Sequence, residues 1–196
     1  MSPAWSEDLL RAALSVTTGP SSDFDLDLST PPDVPLRPAG VLAAFHEDDG
    51  RLILTKRASG LRHHPGQIAL PGGKVDPSDA DEIAAALREA HEEIGLNAAQ
   101  VDLIGTLPAH QTVTGFSVTP VLGIIRGEFT PIPEPDEVDE VFSLPFAHVS
   151  DPEKYQVARR RWRGTWRSFH VAPYGPYYLW GATARILLGL ARRMQP

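Results

Sequence analysis

The sequence predicts a mixed α/β (α+β) fold, and three observations predict it. Short apolar runs of strand length recur through the middle of the chain. A helical pattern interrupts them and ends at Gly95, and a second helical pattern closes the chain. With 196 residues, 42% of them hydrophobic and 22% charged, the chain can bury a substantial core within one domain.

The elements follow in order. Apolar spacing between Trp5 and Val16 (Leu9, Leu10, Ala13, Leu14) suits a short helix. The stretch from Gly19 to Pro38 holds five prolines among Ser, Thr and Asp and reads as an arm, so residues 1–38 are set apart from a main domain of 39–196. Gly40 to His46 and Leu52 to Arg57 are strand-like runs joined by a turn at Asp49-Gly50. Gln67 to Leu70 is a third strand candidate, halted by Pro71-Gly72-Gly73. Ser78 with Asp81 three residues on resembles a capping box and predicts a helix start. Ile83, Ala86, Leu87, Ala90 and Ile94 then fall on one helical face, with Gly95 placed as a left-handed C-terminal cap. Further strands are expected at Val101 to Leu107, Ser117 to Arg126 and Val138 to Leu144, and a last helix from Tyr177 to Arg193.

Composition excludes several classes. There is no cysteine, so disulfides, thiolate metal sites and thiol nucleophiles are ruled out. No apolar run approaches the roughly 20 residues of a membrane span, and charges break up the N-terminal pattern, which predicts a soluble, cytoplasmic protein without a membrane partner. The net charge of −7 argues against a nucleic-acid partner, and no oligomeric state is assigned. The charges are also sorted. Arg51 to Val75 carries five bases and no acid, Asp76 to Glu93 seven acids and one base, Glu128 to Glu140 six acids, and Lys154 onward nine bases and no acid. Such alternation suits a site that holds phosphates beside cations.

The most informative run is Arg88-Glu89-Ala90-His91-Glu92-Glu93-Ile94-Gly95. Residues three and four apart on a helix have Cβ atoms about 5–6 Å apart, so Glu89, Glu92 and Glu93 emerge together. They border the apolar face of Ala90 and Ile94. Carboxylates drawn toward a core need cationic partners. Arg88 supplies one and a hard divalent ion, bound through oxygen, supplies the rest. Pro71-Gly72-Gly73 upstream offers backbone that approaches phosphate or metal without a Cβ in the way.

In these residues the chain resembles the Nudix hydrolase family, whose box joins a glycine to an Arg-Glu…Glu-Glu…Gly helix. Gly73 and Arg88 to Leu96 match its two ends, with one extra residue between them. Counted from Gly73, Asp79 stands at the box's first acidic position; counted from Arg88, Ala80 does, and neither is assigned a role. Leu54-Thr55-Lys56-Arg57-Ala58, Arg62, Gly66 and Leu70-Pro71-Gly72-Gly73 are similar to the signature of the coenzyme A pyrophosphatase branch. So are the extra residue and the segment from Tyr178 to Ala184.

The resemblance implies a Nudix-type α/β/α sandwich with a mixed sheet, and hydrolysis of the pyrophosphate bond of coenzyme A or a related small-molecule nucleotide. It implies Mg²⁺ or Mn²⁺ held by Glu89 and Glu93, with the Gly73 carbonyl in the metal shell and Glu92 a further ligand or the base. Glu137 and Glu140 are candidates for another ligand or base. Arg88 is expected to orient a helix carboxylate, and Gly72 and Gly73 to admit the substrate. Arg57 and Arg62, with Lys56, are expected to grip the 3′-phosphate, since arginine suits phosphate. His63 and His64 are weaker candidates, and the Arg159-Arg160-Arg161-Trp162-Arg163 cluster could also reach phosphate but is read first as a solvated basic loop. The rivals are a Nudix enzyme for a dinucleotide or nucleotide sugar, and a non-catalytic binding module of the same fold.

Overall fold

In a computed structural model the described residues are 4–27, 33–162 and 164–195, with the side chain of Trp162 also left aside. Arg163 and part of the proline-rich arm therefore lie outside the described residues. The elements are α1 (Glu7–Ala13), β1 (Ser21–Ser22), β2 (Arg37–His46), β3 (Leu52–Arg57), β4 (Ile68–Ala69), β5 (Gly72–Lys74), α2 (Glu82–Ile94), β6 (Val101–Thr106), β7 (His110–Gln111), β8 (Phe116–Ile125), β9 (Val138–Leu144), α3 (Phe146–Val149), β10 (Gln156–Trp162), β11 (Thr165–Tyr174), β12 (Tyr177–Trp180) and α4 (Ala182–Arg193).

Nine strands form one mixed sheet in the order β1-β7-β8-β2-β3-β4, with β5 on β2, β6 on β8 and β9 on β3. Its spine is the parallel pair β2–β8, in register from Arg37↔Phe116 to His46↔Ile125. Strands buried on both faces lose the polar alternation, and β2 and β3 read as continuous apolar runs for that reason. Leu42, Ala44 and Ile53 point to one face, where they meet Ala86, Ala90 and Ile94 of α2. Ala43, Phe45, Leu52 and Leu54 point to the other, where Leu187 and Leu190 of α4 and Leu10 of α1 cover them. The result is a helix–sheet–helix sandwich, as expected.

α1 packs into the second of these layers. Leu10 and Ala13 are fully buried, Trp5 stacks on Phe45 at 6.0 Å, and the Trp5 indole N–H donates to the Glu47 carbonyl at 2.8 Å. The turn at Gly50 (φ 65) takes part, because a Cβ there would lie 2.3 Å from the Trp5 ring.

Three expectations need correction. α2 starts at Glu82 and not near Ser78: the Asp81 carboxylate accepts the Ala84 N–H, which makes Asp81 the cap. The last helix starts at Ala182 and not at Tyr177. Tyr177 to Trp180 is an aromatic, strand-favouring run that forms a hairpin with β11 across the Gly175-Pro176 turn, and only after Gly181 (φ 63) does the chain turn helical. The basic cluster is no loop: Arg159, Arg160 and Arg161 lie on β10, paired with β11 in a second, three-stranded sheet. There the charges hide the period-two pattern on which strand recognition depends.

Candidate metal centre and active site

Two bare backbones bring α2 to the sheet. A Cβ on Gly40 would lie 1.9 Å from the Glu82 carbonyl oxygen, so only glycine lets the start of α2 settle on β2. The short strand β5 then pairs with β2 (Gly40↔Gly73, Val41↔Gly72), which sets the glycine turn beside the helix. Gly72 adopts φ 150, open essentially to glycine alone, and its N–H donates to Glu93 Oε2 at 3.2 Å. A Cβ on Gly73 would stand 2.5 Å from the Glu89 carboxylate, so that carboxylate fills the space a side chain would take.

A third acid arrives from the segment before β9. The Glu134 N–H donates to the Glu93 carbonyl at 2.9 Å and the Ala58 N–H to the Glu137 carbonyl at 2.8 Å, which ties this segment to both α2 and the end of β3. One carboxylate oxygen each from Glu89, Glu93 and Glu137 lies within 4.8 Å of the others.

The cluster is electrostatically incomplete. Glu93 is 3% exposed, and burial pushes its pKa up to about 7 against the opposing pull of the Gly72 N–H and of Arg57, whose Nη1 is 3.9 Å away. Burial also raises Glu89, against the pull of Arg88. Three converging carboxylates with so little positive charge fit a hard divalent cation, and an all-oxygen donor set suits Mg²⁺ or Mn²⁺.

Arg88 has a different principal partner from the one expected. Its Nε and Nη2 reach Asp79 Oδ1 and Oδ2 at 3.0 and 2.9 Å, while single bonds run to Glu89 (3.0 Å), Glu92 (2.9 Å) and the Lys74 carbonyl (3.2 Å). Asp79 is thus the residue that fixes Arg88, from the position counted forward from Gly73. The forked pair holds Asp79 below its usual range, and Asp79 in turn raises Arg88. Glu92 is half-exposed on Arg88 and outside the cluster of three.

The remaining candidates separate. Arg57 stands next to Glu93, whereas Lys56 lines a cavity of about 430 Å³ with Glu140, Tyr177 and Trp180. Glu140 accepts a short hydrogen bond from the Tyr177 hydroxyl, whose ring stacks on Phe142 at 3.6 Å, and so is turned away from the carboxylate cluster. Arg62, His63 and His64 are exposed on the loop after β3, and among the described residues no hydrogen bond or salt bridge joins Arg62 to the carboxylates. Of the two acids offered from outside the box, Glu137 lies with Glu89 and Glu93 across more than forty residues of chain and Glu140 does not.

The sandwich thus sets an acidic helix against a glycine turn, with three carboxylates gathered between them. The NUDIX domain family model matches residues 36–163, and the chain belongs to the Nudix hydrolase family. Over 140 residues it is 46% identical to proteins named Nudix hydrolase NudL from Enterobacter sp. (strain 638) and from Cronobacter sakazakii, covering 71% of this chain and 73% of each relative. Among solved structures, a MutT protein from Methanosarcina mazei Go1 is similar with a TM-score of 0.48 and 21% identity, over 60% of this chain and 83% of that one.

Proposed function

We propose that this enzyme hydrolyses the pyrophosphate bond of coenzyme A, giving adenosine 3′,5′-bisphosphate and 4′-phosphopantetheine, with Mg²⁺ or Mn²⁺. The observation that carries the reading is the gathering of Glu89, Glu93 and Glu137 oxygens within 4.8 Å beside Gly72-Gly73. The choice of coenzyme A rests on the signature from Leu54 to Gly73.

Glu89, Glu93 and Glu137 would hold the metal, with the Gly73 carbonyl beside them. When bound, the ion neutralises phosphoryl oxygens and acidifies a water. The protein's own residues do the rest. Arg88, fixed by Asp79, holds Glu89 and Glu92 in place. Arg57, at the edge of the cluster, offsets charge on the phosphates. A water oxygen bonds to one phosphorus as the bridging P–O bond breaks. The water's proton passes to a helix carboxylate, Glu92 or Glu89, and the leaving phosphate departs with the bridging oxygen.

The test is product analysis on coenzyme A with Mg²⁺, with and without chelator, beside a dinucleotide and a nucleotide sugar. Metal-dependent release of the two named products supports the reading. Turnover confined to the dinucleotide or the sugar overturns the substrate, and no turnover on any of them overturns the reaction.

A further inference from the structure

The substrate proposed above carries a phosphomonoester far from the bond that is cut, and the structure offers a place for it at the basic cluster that the sequence analysis read first as a solvated loop. A cleft of about 210 Å³ opens at Gly72, with Val41, Leu70 and Ile186 in its walls. His64, Trp180 and Gly181 also border a second space of about 160 Å³ under the β10–β11 hairpin, so the two spaces are neighbours. His64 is the one non-glycine residue with positive φ (54) among the described residues, and it stands at the junction. The inner space is largely apolar in its lining, with Trp180 and Phe169 meeting edge to face at 5.7 Å.

At its rim stand Arg160 and Arg167. They are direct partners in the antiparallel ladder, so both side chains leave the same face. Like charges directly opposite one another destabilise a hairpin. Arg167 also lies over the Phe24 ring at 5.1 Å, whereas Arg160 makes no hydrogen bond or salt bridge among the described residues. The acid that lines the same space, Asp23, is engaged: its oxygens meet His110 Nε2 at 3.1 Å and the Val113 N–H at 2.8 Å. Asp27 accepts the Ser168 N–H with both oxygens. Two facing guanidinium groups over an aromatic-walled space, beside the cleft that opens at Gly72, match a nucleobase whose sugar bears a phosphomonoester.

We infer that Arg160 and Arg167 form a second anion site, which reads the 3′-phosphate of the nucleotide half of the substrate. The inference rests on the coenzyme A reading and assigns the 3′-phosphate to β10–β11 in place of Arg57 and Arg62. The cleft from Gly72 then takes the adenosine, and the pantetheine arm leaves on the other side of the metal.

The experiment compares coenzyme A with dephospho-coenzyme A on the full chain and on Arg160→Gln/Arg167→Gln. The wild-type protein should favour coenzyme A in kcat/KM by at least about tenfold, mostly through KM, the scale of one or two charge-assisted hydrogen bonds. The double variant should bring that ratio near one, and Arg160→Gln alone, at an exposed position, should move it the same way. Direct binding of adenosine 3′,5′-bisphosphate and adenosine 5′-monophosphate reports the same contact without turnover: the variant should lose the preference for the bisphosphate. If coenzyme A is cut but the variants keep the wild-type ratio, or lose both substrates equally, the second anion site is wrong. A change in acyl-chain preference with the ratio intact would give the cleft to the pantetheine arm and also overturn the assignment. If neither substrate is cut, the coenzyme A reading fails, and the binding comparison alone then decides the arginine pair.

Discussion

Replacing Gly73 by alanine should damage catalysis while leaving the fold in place. The backbone there is not in the left-handed region, so alanine meets no conformational penalty, and reducing the freedom of the unfolded chain favours folding by about 0.4–1 kcal/mol. The new Cβ, however, lies 2.5 Å from Cδ and Oε1 of Glu89, about 0.9 Å short of ordinary contact. What has to move is the free end of a flexible side chain, and that end is a carboxylate of the proposed metal site. A misplacement near 1 Å costs on the order of 100-fold in rate, which corresponds to about 2.7 kcal/mol of barrier. Thermal unfolding with and without Mg²⁺, beside kcat on coenzyme A, separates the two effects. The expected result is a Tm at or above that of the wild type without metal, a smaller rise on adding Mg²⁺, and kcat down by about two orders of magnitude. A Gly73→Ala protein with wild-type turnover and metal response would refute the placement of the site at this turn.

The neighbouring Gly72→Ala should fail in the opposite way. At φ 150, with a Cβ 2.3 Å from the Gly40 carbonyl oxygen and 2.6 Å from Val41 Cα, the obstacles are backbone; urea unfolding should show a loss of about 1–3 kcal/mol or more. Asp79→Ala removes both arms of the fork on Arg88, and turnover should fall by about tenfold to a hundredfold, the range for groups that orient metal ligands. Circular dichroism should remain native, and an unaltered rate would show that Arg88 needs no anchor. For Glu93, folded and unfolded states are both protonated below about pH 4.5. Between there and about pH 7 only the unfolded state ionises, so the metal-free protein should lose up to about 3 kcal/mol of stability as pH rises. Mg²⁺ binding followed by calorimetry in buffers of different ionisation enthalpy should therefore release close to one proton near pH 6 and almost none at pH 8. Glu93→Gln should abolish both the stability slope and most turnover, and proton release that is flat with pH would exclude Glu93 as the titrating ligand.

What the sequence made legible was local. Glu89 and Glu93 one turn apart, the Gly95 cap with its Leu96-to-Ala90 bond, and the strands through Gly40 (which begins earlier, at Arg37) and from Val138 all follow from spacings within a few residues. What stayed hidden depended on contacts between distant segments. Gly40 looks like any glycine at a strand start until Glu82 is laid across it. Asp79 has the register of an acidic box position, yet its partner lies nine residues on and is reached only because the chain folds back at Asp76 and Asp79. The β10–β11 hairpin was missed for a different reason. Its strands carry their charges on both faces, so the alternation that marks a half-buried strand is absent, and it is held by α4, β12 and the ladder itself.

The sorted charges acquire a single explanation from this geometry. The acidic stretch up to Glu93 and the acidic stretch from Glu128 are far apart in sequence, but Glu89 and Glu93 from one meet Glu137 from the other, so the two runs are halves of one cluster. The first basic stretch supplies Arg57, 3.9 Å from Glu93. The last supplies Arg160 and Arg167, at the space that neighbours the cleft at Gly72. On the proposed reading, negative charge is concentrated where a cation would bind, and Arg160 and Arg167 stand where a phosphate without a metal would sit. A substrate with a bridged pyrophosphate and a separate phosphomonoester meets both requirements, and one with the pyrophosphate alone leaves the second unused.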